Sequence, residues 1–328
     1  MIITMTPVRV SFLGGGTDYP EYFEKSGGAT LGSSIDKYTY VTVSPLTEFF
    51  KHSIRVSYSK TELCSDVDEI KHPSVWECLR FMGIEKGVEV NIVSDLPART
   101  GLGSSSSFTV GLLHALHVFK GQMASQEQIA EEAVHVEREM IKERVGLQDQ
   151  YTCSRGGLLN LKYNGSKRVV IRPVVLDRSR LSALKDRLMI FYTGLQRYAH
   201  NILEEQLTRT VQGDLDKHLS NLSGLVEQGI EILTNGRDLS DFGALLHQAW
   251  ESKKQLSSTI TNPIVDEGYA KARRTGAIGG KLLGAGSGGF LLLYVEPYNQ
   301  QAVREALSGM REVNFMLENH GTRLIYYQ

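Results

Sequence analysis

Along residues 88–93, Val88, Val90 and Ile92 alternate with Glu89 and Asn91, which is the two-residue period of a half-buried strand. Farther on, Phe108, Leu112, Leu116 and Phe119 recur at helical spacing. Between them periodicity stops and Leu96-Pro97-Ala98-Arg99-Thr100-Gly101-Leu102-Gly103-Ser104-Ser105-Ser106-Ser107 intervenes, so the pattern predicts a strand, a glycine-rich loop and a helix in succession. The same reading predicts strands at 8–13, 38–44, 54–59, 158–161, 168–175, 188–192, 290–295 and 323–327. Helices are expected at 74–82, from Ser125 toward Gly146, across 201–235 with a break near Gly213, and at 242–257, 265–275 and 298–318. Ser125-Gln126-Glu127-Gln128 has the form of a capping box, with Gln128 reaching back to the cap. Several strands precede the glycine-rich loop, so the mixture suggests an α+β fold rather than a doubly wound sheet.

Composition narrows the class. The 328 residues, 41% of them hydrophobic, suffice for a real core and for two domains, with a boundary near Asp177-Arg178-Ser179 that divides 1–177 from 178–328. A formal net charge of -1 gives no reason to expect nucleic acid or an anionic membrane surface. Cys64, Cys78 and Cys153 form no C-x-x-C, which argues for a reducing compartment and against zinc or a disulfide framework. No signal peptide is visible, and the strongly apolar run 290–295 is far too short to span a bilayer. A cytoplasmic protein is expected.

Candidate chemistry begins at the loop. Gly101 and Gly103 permit close backbone approach, and the serines fall where a helix begins with unpartnered N–H groups, a place that binds anions such as phosphate. A P-loop is excluded because no lysine follows the glycines, and a dinucleotide fingerprint because Ser106 stands at its third glycine. A serine-capped helix after a tight turn is the plainer alternative. Glu137 lies on the apolar stripe of its helix, four residues from Ala133 and Ile141. An inward carboxylate must be paired, metal-bound or protonated; either it pairs with Arg138 or Lys142, or it serves as a magnesium ligand. Asp149 follows the helix-ending Gly146 and reads as a loop residue, a plain turn aspartate or a catalytic one. Arg9 sits in a strand ahead of Gly14-Gly15-Gly16-Thr17-Asp18, and taken alone reads as a solvated edge-strand arginine. The run Gly279 to Gly289 is either a flexible hairpin or a loop pressed on a ligand.

Taken together, Pro7-Val8-Arg9 with Gly16-Thr17-Asp18-Tyr19, Leu96-Pro97 with Gly101-Leu102-Gly103-Ser104-Ser105-Ser106, and Gly280-Lys281-Leu282-Leu283-Gly284-Ala285-Gly286-Ser287-Gly288-Gly289 resemble, in that order, the three motifs of the GHMP kinases. The resemblance covers essentially the whole chain. Within that superfamily it is similar to the D-glycero-D-manno-heptose 7-phosphate kinases through Phe12 to Pro20, Ile35-Asp36-Lys37-Tyr38, Gly146 to Tyr151, Tyr192 to Arg197 and His247 to Lys254. Gly14-Gly15-Gly16 stand where galactokinases carry Gly-Glu-His, which weakens galactose as substrate and suggests room for a bulkier sugar.

The resemblance implies a two-domain α+β GHMP kinase fold, with a ribosomal-protein-S5-like N-terminal domain and a ferredoxin-like C-terminal domain. It implies ATP and Mg²⁺, with Pro97 and Gly101 to Ser106 around the triphosphate and Ser105 (or Ser104 or Ser106) and Glu137 as metal ligands. Asp149 would take the proton of a sugar hydroxyl and Arg9 would lie beside the phosphoryl group. Gly16, Thr17, Asp18, Asp36, Lys37, Arg197 and Gly286 would line the sugar site. Lys253 and Lys254 are further candidates for a substrate phosphate, or solvated surface lysines. The expected reaction is phosphorylation of the anomeric hydroxyl of a heptose 7-phosphate to the 1,7-bisphosphate. Alternatives are fucose, galactose or an unphosphorylated heptose as substrate, a non-catalytic sugar sensor, or a decarboxylase of the mevalonate branch.

Overall fold

The chain opens with two long antiparallel strands, β1 (Ile2–Leu13) and, after the short helix α1 (Pro20–Ser26), β2 (Gly28–Pro45). This computed structural model describes residues 1–328 except 99, 166–167 and 196–199, with only the backbone of 200–202. In chain order there follow β3 (Ile54–Ser57), β4 (Thr61–Cys64), α2 (Pro73–Phe81), β5 (Val88–Ser94), α3 (Ser104–Phe119), α4 (Gln126–His135), a π-helical turn at Val136–Met140, α5 (Gln148–Arg155), β6 (Leu158–Tyr163) and β7 (Val169–Pro173). The second half contributes α6 (Arg178–Asp186), β8 (Leu188–Tyr192), α7 (His200–Gln212), α8 (Asp216–Thr234), α9 (Leu239–Lys254), α10 (Pro263–Arg274), β9 (Ala277–Leu282), β10 (Phe290–Val295), α11 (Gln300–Ala306), β11 (Arg311–Glu312) and β12 (Arg323–Tyr327).

Burial along β2 changes midway, and the sheet changes with it. Its first half is buried on both faces and pairs with β6; its second half alternates and pairs with β5. The first sheet therefore has eight strands, ordered β12-β1-β2-β5-β3-β4, with β6 and β7 branching from β2. The second has the order β11-β8-β10-β9. Its chain order places the fourth strand beside the first, then the third and second, as in a ferredoxin-like β-α-β-β-α-β unit. The α+β expectation and the ferredoxin-like second sheet both hold. One apolar core joins Val8, Val10 and Phe12 of β1 to Ile190, Leu291 and Trp250 from the second half.

Three expectations change. The helix expected at 298–318 stops at Ala306, because the segment beyond pairs with β8 and then with the first sheet: Met316 N–H donates to Asp36 Oδ1 at 2.8 Å and Glu318 N–H to the Ser34 carbonyl at 2.9 Å. Ser125 does cap α4, accepting the Gln128 N–H at 3.1 Å, but the Gln128 amide turns forward to Glu132 at 2.8 Å instead of back. Asp149 lies in the first turn of α5, not in a loop. The three cysteines are free and buried. Among the described residues, no helix is long and apolar enough to cross a membrane.

Candidate active site

Arg9 is buried, not a solvated edge residue, because β1 runs between β12 and β2. Its N–H donates to the Leu102 carbonyl at 2.9 Å, fastening the strand to the glycine-rich loop. The guanidinium grips Asp149 with both prongs, Nε to Oδ1 and Nη2 to Oδ2, each at 2.7 Å, and Nη1 donates to the Gly101 carbonyl at 2.7 Å. A forked, charge-assisted pair of this kind fixes the carboxylate plane as well as its position.

Asp18 lies beside this pair. Its Oδ1 accepts the Gly16 N–H at 3.0 Å and its Oδ2 the Gln148 N–H at 3.3 Å. Gly146 is glycine because a Cβ there would stand 2.0 Å from Asp18 Oδ2. Burial, and then the Asp149 charge, hold the Asp18 carboxyl above the usual carboxylate range.

The phosphate-loop candidate is built from two nested glycine segments. Gly103, in the left-handed region at φ 72°, precedes α3 without any side-chain cap, which leaves the first-turn N–H groups of a 16-residue helix for another acceptor. Pro97 shapes the approach, its carbonyl accepting the Thr100 hydroxyl at 2.8 Å. A Cβ on Gly101 would stand 2.3 Å from the Leu283 carbonyl oxygen, and one on Gly284 would stand 2.3 Å from Gly101 Cα. The segment 284–289 is thus packed backbone to backbone on residues 100–101, and Gly286 turns against Ile260. It is not a free hairpin.

Glu137 is fully buried, and neither expected salt-bridge partner holds it. Arg138 pairs instead with Glu21 at 2.7 Å. Glu137 Oε2 accepts the Ser106 hydroxyl at 2.9 Å and the Gln150 amide at 2.5 Å, while its Oε1 has no hydrogen-bond partner. Desolvation raises its pKa to about 7, against the nearby polar groups of Thr109, Gln150 and Ser106 that lower it. Of the serines expected as metal ligands, Ser105 and Ser106 face different ways. Ser105, at the second position of α3, is exposed, whereas Ser106 turns inward to the carboxylate. A buried carboxylate oxygen without a donor, next to a hydroxyl and uncapped N–H groups, fits a small hard cation shared with phosphate oxygens. Among the described residues no group of three or more His, Cys, Asp or Glu forms a metal cage, so such an ion would take most of its ligands from substrate and water.

The other expected sugar-site residues divide. Thr17 is a turn clamp, its hydroxyl bonded to the Gly14 carbonyl at 2.8 Å and the Ala29 carbonyl at 2.9 Å. Asp36 holds the Met316 N–H and Lys37 holds Asp36 at 3.1 Å, so this pair braces the returning tail. Arg197 lies outside the described residues. A Cβ on Gly14 would meet Ala29 and Val226, and one on Gly16 would meet Gln206, Leu219 and Leu256, so the absence of a side chain at these two glycines serves packing.

Two buried lysines complete the surroundings and were not given their weight by residue type. Lys253 of α9 donates to the Gly284 carbonyl, and Lys281 of β9 donates to the Phe12 carbonyl at 3.0 Å. Burial lowers both pKa values, that of Lys253 to about 8, and Arg9, Asp18 and Asp149 are the other charges Lys253 senses. The signal was present: Leu246, Ala249, Trp250 and Lys253 share one face of α9. Lys254, by contrast, pairs with Glu251 at 2.8 Å.

A half-buried arginine–carboxylate fork, a second carboxylate, an uncapped helix start and a lone buried acid are the kinds of group that phosphoryl transfer uses. Comparison with known proteins agrees. Residues 71–157 match the family model "GHMP kinases N terminal domain" and residues 226–311 match "GHMP kinases C terminal". The chain is 30% identical over 318 residues, 93% of each protein, to a D-glycero-alpha-D-manno-heptose 7-phosphate kinase of Campylobacter jejuni. It is 27% identical to a bifunctional fucokinase/GDP-fucose pyrophosphorylase of Arabidopsis thaliana, over 95% of this chain and 32% of that protein. Its fold is similar to a crystal structure described as a D-glycero-D-manno-heptose 1-phosphate kinase from Bacteroides thetaiotaomicron, with TM-score 0.81, 21% identity and full coverage of both chains.

Proposed function

We propose, because this chain belongs to the GHMP kinases, phosphotransferases with an alcohol group as acceptor, that it transfers the γ-phosphoryl group of ATP to the anomeric hydroxyl of D-glycero-D-manno-heptose 7-phosphate, giving the 1,7-bisphosphate. The observation that carries the catalytic reading is the Arg9–Asp149 fork, seated against the Gly101 carbonyl and beside Asp18. The sugar is inferred from the Campylobacter relative, whose likeness extends over 93% of both chains.

Each residue then has a task. Arg9 holds the Asp149 carboxylate oriented, and Asp149 accepts the proton of the attacking hydroxyl. Asp18, held by two backbone N–H groups, accepts hydrogen bonds from sugar hydroxyls. Leu102, Gly103 and Ser104, with the first turn of α3, receive the phosphates through backbone N–H groups. Glu137 and Ser106 would hold Mg²⁺, which when bound supplies charge neutralisation at the phosphates. Positioning and charge stabilisation supply most of the rate in such transfers, and a placed base adds ~10²–10⁴-fold.

A coupled ADP-release assay over a panel of heptose 7-phosphate, free heptose, fucose and galactose tests this. The heptose 7-phosphate should give the highest kcat/KM. Asp149→Asn should lower kcat with that sugar by ~10²–10⁴-fold and leave ATP binding intact. A higher kcat/KM on a free hexose overturns the substrate; near wild-type turnover in Asp149→Asn overturns the base; sugar binding without ADP release would make the protein a sensor.

A further inference from the structure

We propose that Lys253 is a catalytic residue whose ammonium group contacts the phosphoryl group as it passes from ATP to the sugar oxygen. This rests on the kinase reading above and adds to it a charge from the second half of the chain.

Position is the first ground. Lys253 is buried on the inner face of α9 and donates to the Gly284 carbonyl. Gly284 lies directly against Gly101, whose carbonyl in turn accepts from Arg9. The ammonium therefore stands at the seam of the two glycine segments, on the side of the Arg9–Asp149 fork. Availability is the second. Three Arg9 donors are already spent, two on Asp149 and one on Gly101, and the charge of Arg9 is largely offset by Asp149. Among the described residues no carboxylate forms an ion pair with Lys253, and a carbonyl does not neutralise it. A buried cation in that state is costly unless an anion arrives to meet it. A phosphoryl group carrying charge on its outer oxygens is such an anion.

The step balances without another reactant. The sugar oxygen bonds to the γ-phosphorus as the bond from that phosphorus to the bridging oxygen breaks. The hydroxyl proton goes to Asp149, the electron pair of the broken bond leaves with ADP, and Lys253 stays protonated throughout.

The groups facing Lys253 are Arg9 on β1, Asp18 in the turn after β1, Asp149 on α5 and Lys281 on β9. Since only the charged form works, kcat should fall as pH rises through about 8. The experiment compares wild type, Lys253→Met and Lys253→Arg by steady-state kinetics from pH 6 to pH 10 and by thermal melting, on whichever sugar the wild type turns over best. Failure of heptose 7-phosphate as the substrate then leaves the result readable. Lys253→Met should lose ~10²–10³-fold in kcat with KM for ATP changed less than about threefold and Tm unchanged or raised. Lys253→Arg should restore activity to within about tenfold of wild type and lose the alkaline fall, since guanidinium does not titrate in that range. Three results overturn the assignment: kcat of Lys253→Met within threefold of wild type; a loss appearing only as a higher KM for ATP with a lower Tm, which would mark a loop anchor; or an alkaline fall unchanged in Lys253→Arg, which would belong to Lys281 or another group.

Discussion

Burial keeps Glu137 protonated up to about pH 7, although an exposed glutamate ionises near 4.5. Between those values the folded protein holds a proton that the unfolded chain has released. Stability must therefore fall as pH rises from about 4.5 to about 7, and level off above. Glu137→Gln removes that dependence, so thermal melts across the window should show wild type losing several degrees against the variant. Magnesium with ATP should restore the wild type at pH 8 and leave the variant little changed; parallel curves for the two proteins would rule the account out. Glu137 could be read from sequence because a carboxylate on an apolar stripe demands a partner. Lys253 lies on an equally plain stripe, yet lysine is so often exposed that residue type obscured position. Ser105 and Ser106 could not be told apart, since four successive serines differ only by rotation about the helix axis.

At the scale of elements, the site depends on short irregular pieces inside regular ones. The π-helical turn at Val136–Met140 interrupts the helical run in which Glu137 was expected and turns that residue toward Ser106 and Gln150. Such a turn leaves no sequence signature, whereas the strand, loop and helix from Val88 to Phe119 did, because the period changes from two to helical around a glycine-rich break. The contact between the two glycine segments was legible only as two separate motifs. Its dependence on Gly101 is testable. Alanine there must adopt φ 85° and place its Cβ 2.3 Å from the Leu283 oxygen, so either the residue is strained or the loops part. Gly101→Ala should raise KM for ATP by more than about tenfold and lower Tm by several degrees, with backbone strain of roughly 1–3 kcal/mol as the source. Gly284→Ala strains the same contact from the other side, so the double variant should lose less than the sum of the two. Additive losses would mean that the segments act independently.

Across the whole molecule, the two ends of the chain meet. Ile2 of β1 pairs with Tyr327 of β12, the buried Thr6 hydroxyl lies 2.8 Å from that of Thr322, and Glu318 receives both Tyr38 and Arg323. Only the position of the last strand in the chain was legible in sequence; its partner was not, because long-range pairing carries no local period. The return bears on the proposed site because β1 is shared: it pairs with β12 near its start, carries Arg9 farther along, and near its end offers the Phe12 carbonyl to Lys281. Removing residues 322–328 would leave the β1 edge unpaired, expose Thr6 and Ile2, and free the strand that presents Arg9. Activity and stability should then fall together, with Tm down by about 5–10 °C and kcat reduced in proportion to the folded fraction. Lys253→Met should instead lower kcat without lowering Tm. A single calorimetric transition is expected for the intact chain, since one core unites β1 with both halves. If the shortened chain keeps full activity and the same transition, the ends are ornamental, and Arg9 must be held by Asp149 and the glycine loop alone.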